Sequence, residues 1–263
     1  MNNKKIIPLT LLAIAAGLCA NAAVLTHRYD FNGDAADFDD ATTKLNGTLS
    51  SAGTNLEAPL FTSDTPGGAD TSFASQSIEF GMNVGTTASW IFFGNGSQTK
   101  ILDGKAGSFS YWFKADQVSG TQELVSNINP LRTRISSGVV QAGPLAASVT
   151  ADTWHHLVLG WDDINSQYTF ALDGVIQTQA FGTPGGLTDP ARLIVGNFEE
   201  SANKLATQFD GHIYDLQIYE GVLSDSEIAT LYANPGTTIP ESGSFALIAG
   251  CLGLVSVMLR RRR

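Results

Sequence analysis

The side chains that could do chemistry in this chain are carboxylates, a histidine pair and several aromatic residues. Asp30, Asn32, Asp34 and Asp37, with Asp39 and Asp40 beyond, crowd oxygen donors into eleven residues. Calcium is the one ion such hard donors suit. The Asp30-x-Asn32-x-Asp34 spacing matches the start of an EF-hand loop, but Ala35 stands where that loop needs glycine and no glutamate follows at position twelve. An EF-hand is therefore rejected, and a solvated acidic turn accounts for the same residues equally well. His155 and His156 are neighbours, so on a strand they face opposite ways and cannot share one ion. No Gly-x-Ser-x-Gly elbow and no phosphate loop occur. A sugar site needs aromatic platforms beside polar groups. Trp90 and Phe92, near Asn95-Gly96, and Trp112 are the candidates, against the alternative that they are core.

These groups must be positioned by short alternating runs between turn residues, from Val24 to about Tyr219, the pattern of a sandwich or barrel. Phe109, Tyr111 and Phe113 alternate with Ser110, Trp112 and Lys114. Tyr168, Phe170 and Leu172 run into Asp173-Gly174, a two-residue hairpin signal. His155, Leu157, Leu159 and Trp161 share one face of a strand and Trp154, His156 and Val158 the other; bulk on both faces predicts a central strand. Residues 55–75, rich in Pro, Gly, Ser and Thr, read as a long loop. Ser224 and Glu227 form a capping box ahead of Ile228, Leu231 and Tyr232, predicting one short helix that stops before Asn234-Pro235-Gly236. No internal repeat divides the body, so one domain spans 24–235.

Charge narrows the partners. Between residues 24 and 238 nine cations stand against 24 acids, a net charge of −15. Such a body repels nucleic acid, whose phosphates require clustered cations. The remaining cations lie at the two ends. Lys4 and Lys5, the apolar run Ile6 to Leu18 and Ala20-Asn21-Ala22 read as a signal peptide over 1–23. At the other end, over 236–263, Pro240-Glu241 precedes an apolar run from Phe245 to Leu259 and then Arg260, Arg261, Arg262 and Arg263. As a helix that run spans about 22 Å, short of a full crossing without snorkelling arginines. Pro-Glu, apolar run and arginine cluster resemble the PEP-CTERM sorting signal of Gram-negative bacteria, with Ser242 in place of the usual proline. That resemblance implies an exosortase-type processing enzyme, transient anchoring in the inner membrane, and delivery to the cell surface or extracellular matrix. The only cysteines, Cys19 and Cys251, lie in these end segments, so the body has neither a disulfide nor a thiol.

Ser108 to Lys114, Trp154-His155-His156-Leu157-Val158, Phe170 to Gly174 and Phe209 to Tyr219, together with Tyr29, Phe31, Gly33 and Asp37, resemble in order the strands of LamG-like jelly rolls. The resemblance implies an all-β, concanavalin A-like sandwich of two antiparallel sheets with one short C-terminal helix, flanked by terminal signal and sorting helices. The superfamily includes laminarinase-type hydrolases, whose catalytic carboxylates alternate along one strand as Glu-x-Asp-x-Glu or Glu-x-Asp-x-x-Glu. None of the eight glutamates here is followed by aspartate two positions on, and Glu199-Glu200 would point to opposite faces of a strand. The expectation is a non-enzymatic module that binds polysaccharide or another surface protein. A structural matrix component without a specific ligand is the alternative, and a hydrolase or lyase stands last. Some LamG-like domains hold one calcium with acidic residues from separate loops; by that resemblance the ligands are Asn32, Asp34, Asp37 and Asp215.

Overall fold

Strands form here where aromatic and β-branched residues alternate with small polar ones, because such side chains suit a pleated, half-buried surface. The computed structural model describes residues 23–36, 46–53, 58–81, 87–93, 106–126, 132–180, 193–198 and 206–240. Among them fifteen strands build two antiparallel sheets. Sheet A runs in the order β13 (Val175–Ala180), β12 (Gln167–Leu172), β11 (Trp154–Asp162), β6 (Ala106–Ala115), β15 (Gly211–Glu220), β4 (Ser77–Phe80) and β3 (Leu60–Thr62), with β1 (Val24–Tyr29) also paired to β15. Sheet B runs β10 (Leu145–Ser148), β9 (Val139–Ala142), β8 (Arg132–Ser136), β7 (Thr121–Ser126), β14 (Leu193–Val195), β5 (Thr87–Phe93) and β2 (Gly47–Gly53).

The inner faces meet in one core. Sheet A contributes Phe109, Tyr111, Phe113, Leu157, Leu159, Trp161, Phe170, Leu216 and Ile218, and sheet B contributes Ile91, Phe93, Leu124, Ile135, Val140, Leu193 and Val195. Each such side chain contributes about 1.5–3 kcal/mol by leaving water. The two-faced strand β11 is central, with Leu157 opposite Tyr111 on one side and Leu172 on the other. Its outer face is buried by helix α1 (Asp225–Ala233), whose Ile228 and Leu231 pack on Val158, Ala171, Tyr219 and Leu223. The capping box forms: Ser224 Oγ accepts from the Glu227 amide and Glu227 Oε2 from the Ser224 amide.

Three local features matter for the outer faces. Asp173 and Gly174 both adopt positive φ, the backbone a two-residue hairpin requires, and Asp173 then accepts from the His156 amide at 2.8 Å. The segment expected to be a long loop contains a short strand, β3, because its backbone pairs with β4, which the loop composition does not reveal. Each sheet also carries a register shift near its middle, between Tyr214 and Gln217 in β15 and between Glu123 and Val125 in β7. In β15 the shift falls where the strand changes partner from β4 to β1. Among the described residues no helix is long and apolar enough to cross a membrane; the end segments 1–22 and 241–263 lie outside them.

Candidate functional site

Three of the four expected calcium ligands, Asn32, Asp34 and Asp215, lie among the described residues. Asn32 Oδ1 accepts from both the amide and the hydroxyl of Ser75, at 2.7 and 2.8 Å, and its Nδ2 donates to Asp30 and to the Phe73 carbonyl. Asp34 accepts from the Ala36 amide in an exposed turn. Asp215 is buried against Arg28, whose Nε donates to Oδ1 at 2.7 Å. Asp37 lies outside the described residues. Two of the donors are thus committed to protein partners, one of them a cation. The acidic stretch instead pins the 70–76 segment through Asn32.

The outer face of sheet A is covered over the middle of β6, β11 and β15. Trp112, expected as a sugar platform, is instead buried: Tyr232 of α1 stacks on it with ring centroids 5.8 Å apart and planes 17° from parallel, and His156 lies 5.1 Å away. The reason is the capped helix, which lays its apolar stripe over this sheet. His156 Nε2 is bonded to Ser110 Oγ at 2.9 Å, while Nδ1 has no partner, and burial drives its pKa down to about 3. Residues 234–240 form a strap over the β15 part of this face. Arg28 Nη2 donates to the Gly236 carbonyl and Gln217 Nε2 to the Thr237 carbonyl, both at 2.7 Å. Gly236 has a φ of +83°, and a side chain there would strike the Tyr214 hydroxyl. The crevice between strap and sheet, lined by Ser110, His156, Asp215 and Gln217, has no room for a water molecule.

The outer face of sheet B is built differently. Alternation sends Ile91 and Phe93 into the core and turns Trp90 and Phe92 outward, where both remain partly exposed. Register then aligns one row across five strands: Arg132 opposite Ser126, Ser126 opposite Ile194, Ile194 opposite Phe92, and Phe92 opposite Thr48. At the usual strand spacing the row spans about 19 Å. Trp90 lies two positions from Phe92, opposite Ser50.

At one end of the row, Arg132 Nε donates to Glu123 Oε2 at 2.6 Å and Nη2 to Oε1. That hydrogen bonding raises the guanidinium pKa further above its ordinary value. The Glu123 side chain is fully buried while that of Arg132 keeps 32% exposure. The Arg132 guanidinium lies 4.3 Å over the Phe198 ring. Phe198 follows Asn197, whose carbonyl accepts from Ser126 Oγ at 2.8 Å and whose Oδ1 accepts from Thr207 at 3.0 Å. The β7 bulge makes this possible. Leu124 and Val125 both enter the core, so Glu123 and Ser126, three apart, share the outer face, which a regular strand forbids. Thr133 holds the bulge by bonding both the amide and the carbonyl of Val125. Arg134, two residues on, also faces outward, with Nε donating to Gln141 at 3.1 Å.

Glu123, Arg132, Arg134 and Phe198 are not apparent as a site from the sequence motifs. Arg132-x-Arg134 in a cation-poor body is the one signal that points there. The bulge that recruits Glu123 has no such signature.

Comparison with known proteins agrees with this architecture. Domain 4 of AbnA, an extracellular arabinanase of Geobacillus stearothermophilus solved in complex with arabinotriose, superposes with a TM-score of 0.53 at 17% identity, over 80% of this chain and 99% of that one. The binding domain of botulinum neurotoxin serotype C1 superposes with a TM-score of 0.56 at 10% identity, over 80% of this chain and 51% of that one. A further toxin binding domain, of botulinum neurotoxin DC, was solved in complex with SialylT and superposes at 0.50 with 9% identity, over 81% of this chain and 51% of that one. No curated protein matches the chain. At these identities the likeness is one of fold. The family model Laminin_G_3 matches residues 67–229, and the chain accordingly belongs to that family of the concanavalin A-like lectin/glucanases superfamily.

Proposed function

We propose that this protein is a non-catalytic carbohydrate-binding module displayed outside the cell, and that it binds its glycan on the outer face of sheet B. The observation that carries the reading is the row from Arg132 to Thr48, partly exposed at its two ends, where Arg132 meets Phe198 and where Phe92 lies beside Trp90, with Ser126 and Ile194 buried between them. Sugar rings offer apolar faces and hydroxyl rims, and partly exposed aromatic rings beside fixed polar groups complement both. Two solved structures of the same fold hold arabinotriose and SialylT, which supports a glycan as the class of partner. Glu123 is the single acidic side chain in the described strands of sheet B, and it is spent on Arg132. Glycoside hydrolysis calls for two carboxylates, so the reading is binding without catalysis. The donors around Asn32 and Asp215 are committed to protein partners, so the module works without calcium at those residues.

Export rests on the signal-like residues 1–23, and sorting by an exosortase-type enzyme at the inner membrane rests on Pro240-Glu241, the apolar run and Arg260 to Arg263. Ala23 and Ile239 meet in one apolar cluster beneath α1. The residues to which the two end segments attach therefore lie on the sheet A side. Surface-released protein is expected to begin near Ala23 and to lack the arginine cluster.

A glycan array with the purified protein tests the binding reading. Specific glycan binding that falls at least tenfold in Trp90→Ala or Phe92→Ala supports it. An array with no binding, with the fold intact by circular dichroism, overturns it in favour of a structural matrix component.

A further inference from the structure

Building on that glycan reading, we infer that the ligand is an acidic polysaccharide whose uronate carboxylates are read by Arg132 and Arg134. A guanidinium has five N–H donors. Glu123 takes the Nε and Nη2 edge of Arg132, so the end-on edge formed by Nη1 and the second Nη2 proton has no partner among the described residues. The Phe198 ring, 4.3 Å from the guanidinium carbon, supports that fork from one side. Arg134 points to the same face about 7 Å along the strand, its Nε held by Gln141. Two oriented forks side by side are a carboxylate-reading device, since planar carboxylates accept two parallel N–H bonds.

The local charge of this face, and not that of the body, admits such a ligand. The body's net charge of −15 repels a polyanion at long range, but β8 places two arginines on a face whose strands hold one acid, so the attraction is confined to direct contact at the two forks. A neutral glycan laid over this row would strip water from Arg134 without returning a counter-charge, whereas a uronate returns it. The β7 bulge is the device that makes Arg132 rigid, because it brings Glu123 onto the outer face. The aromatic pair Trp90 and Phe92 would then carry the sugar faces further along the same row.

The test titrates the purified protein with polygalacturonate, alginate, each polymer after reduction of its carboxyls to alcohols, and dextran sulfate. At least one uronate polymer is expected to bind tenfold or more tightly than its reduced form. Arg132→Lys, which keeps the charge but not the fork, is expected to lose at least tenfold with little change in melting temperature. Arg134→Gln, whose side chain is partly exposed, is expected to lose three- to tenfold and keeps the test alive if the first variant folds poorly. Equal binding of reduced and native polymers overturns the acid inference while the glycan reading stands. Tight binding of dextran sulfate that Arg132→Lys leaves unchanged also overturns it, since that is counterion exchange. Binding confined to neutral glycans on the array does so too, and an array with no binding at all removes both readings.

Discussion

Each sheet carries on its outer face an arginine that grips a buried carboxylate beside a bulge, and the two pairs have different fates. In sheet A, Arg28 and Asp215 are 5% and 2% exposed, roofed by the 234–240 strap and flanked by α1. In sheet B, Glu123 is as buried as Asp215, yet Arg132 stays 32% exposed with one fork unpartnered among the described residues. The same chemistry thus serves as a clamp where the chain covers it and as a presented recognition group where it does not. A buried ion pair adds little net stability, but removing one partner leaves an uncompensated charge. What distinguishes the two sites is whether water can reach the orphan.

That contrast can be broken by substitution. Arg28→Ala should cost about 3–5 kcal/mol, because Asp215 is left with no solvent and the strap loses its anchor at Gly236. At roughly 2–4 °C per kcal/mol for a domain of this size, thermal unfolding should register a drop on the order of 10 °C. Arg132→Ala should cost less, about 1–3 kcal/mol, since water enters the vacated volume beside Glu123. Equal costs at the two sites would show that the openness of sheet B has no energetic meaning.

A pH titration sharpens the same comparison, because all four histidines lie on strands of sheet A. Burial lowers His156 to about 3 in the folded state against an ordinary value near 6.5. The unfolded chain therefore binds the proton first, and stability falls as pH drops below about 6.5, by about 1.4 kcal/mol per unit. Denaturant unfolding between pH 6.5 and 5 should show this slope, and His156→Asn should flatten it. Ser224→Ala removes the capping side chain of α1 and should cost about 1 kcal/mol, with the loss confined to the sheet A side and glycan binding unchanged. The smallest effect expected is none at all: calcium or EDTA should leave the melting temperature within error. A calcium-dependent rise that Asp215→Asn abolishes would refute the committed-donor reading of Asn32 and Asp215.

Much of the fold was legible in the chain because strand burial leaves a period-two record. The alternations around Phe109 and His155, the Asp173-Gly174 turn and the Ser224–Glu227 box each describe a local interaction, and each occurs where its residues place it. Trp112 illustrates the limit. Alternation correctly turned it away from Phe109 and Tyr111, but an outward tryptophan can meet solvent or a helix, and only the docking of α1 decides for the helix. Asp215 shows the same limit for charge. Its side chain looked like a free oxygen donor until β1, 187 positions away in sequence, brought Arg28 against it.

By itself, then, the sequence determined what short-range physics encodes: an all-β sandwich with one capped helix, an acidic body without cysteine, and end segments of apolar and basic residues. Tertiary structure alone decided which outward-facing residues are covered and which stay exposed, and it joined Glu123 to Arg132 through a bulge that shifts side chains by one position. Register and bulges are set by pairing between distant strands and by the fit of the core beneath them, and neither leaves a periodic mark in the chain.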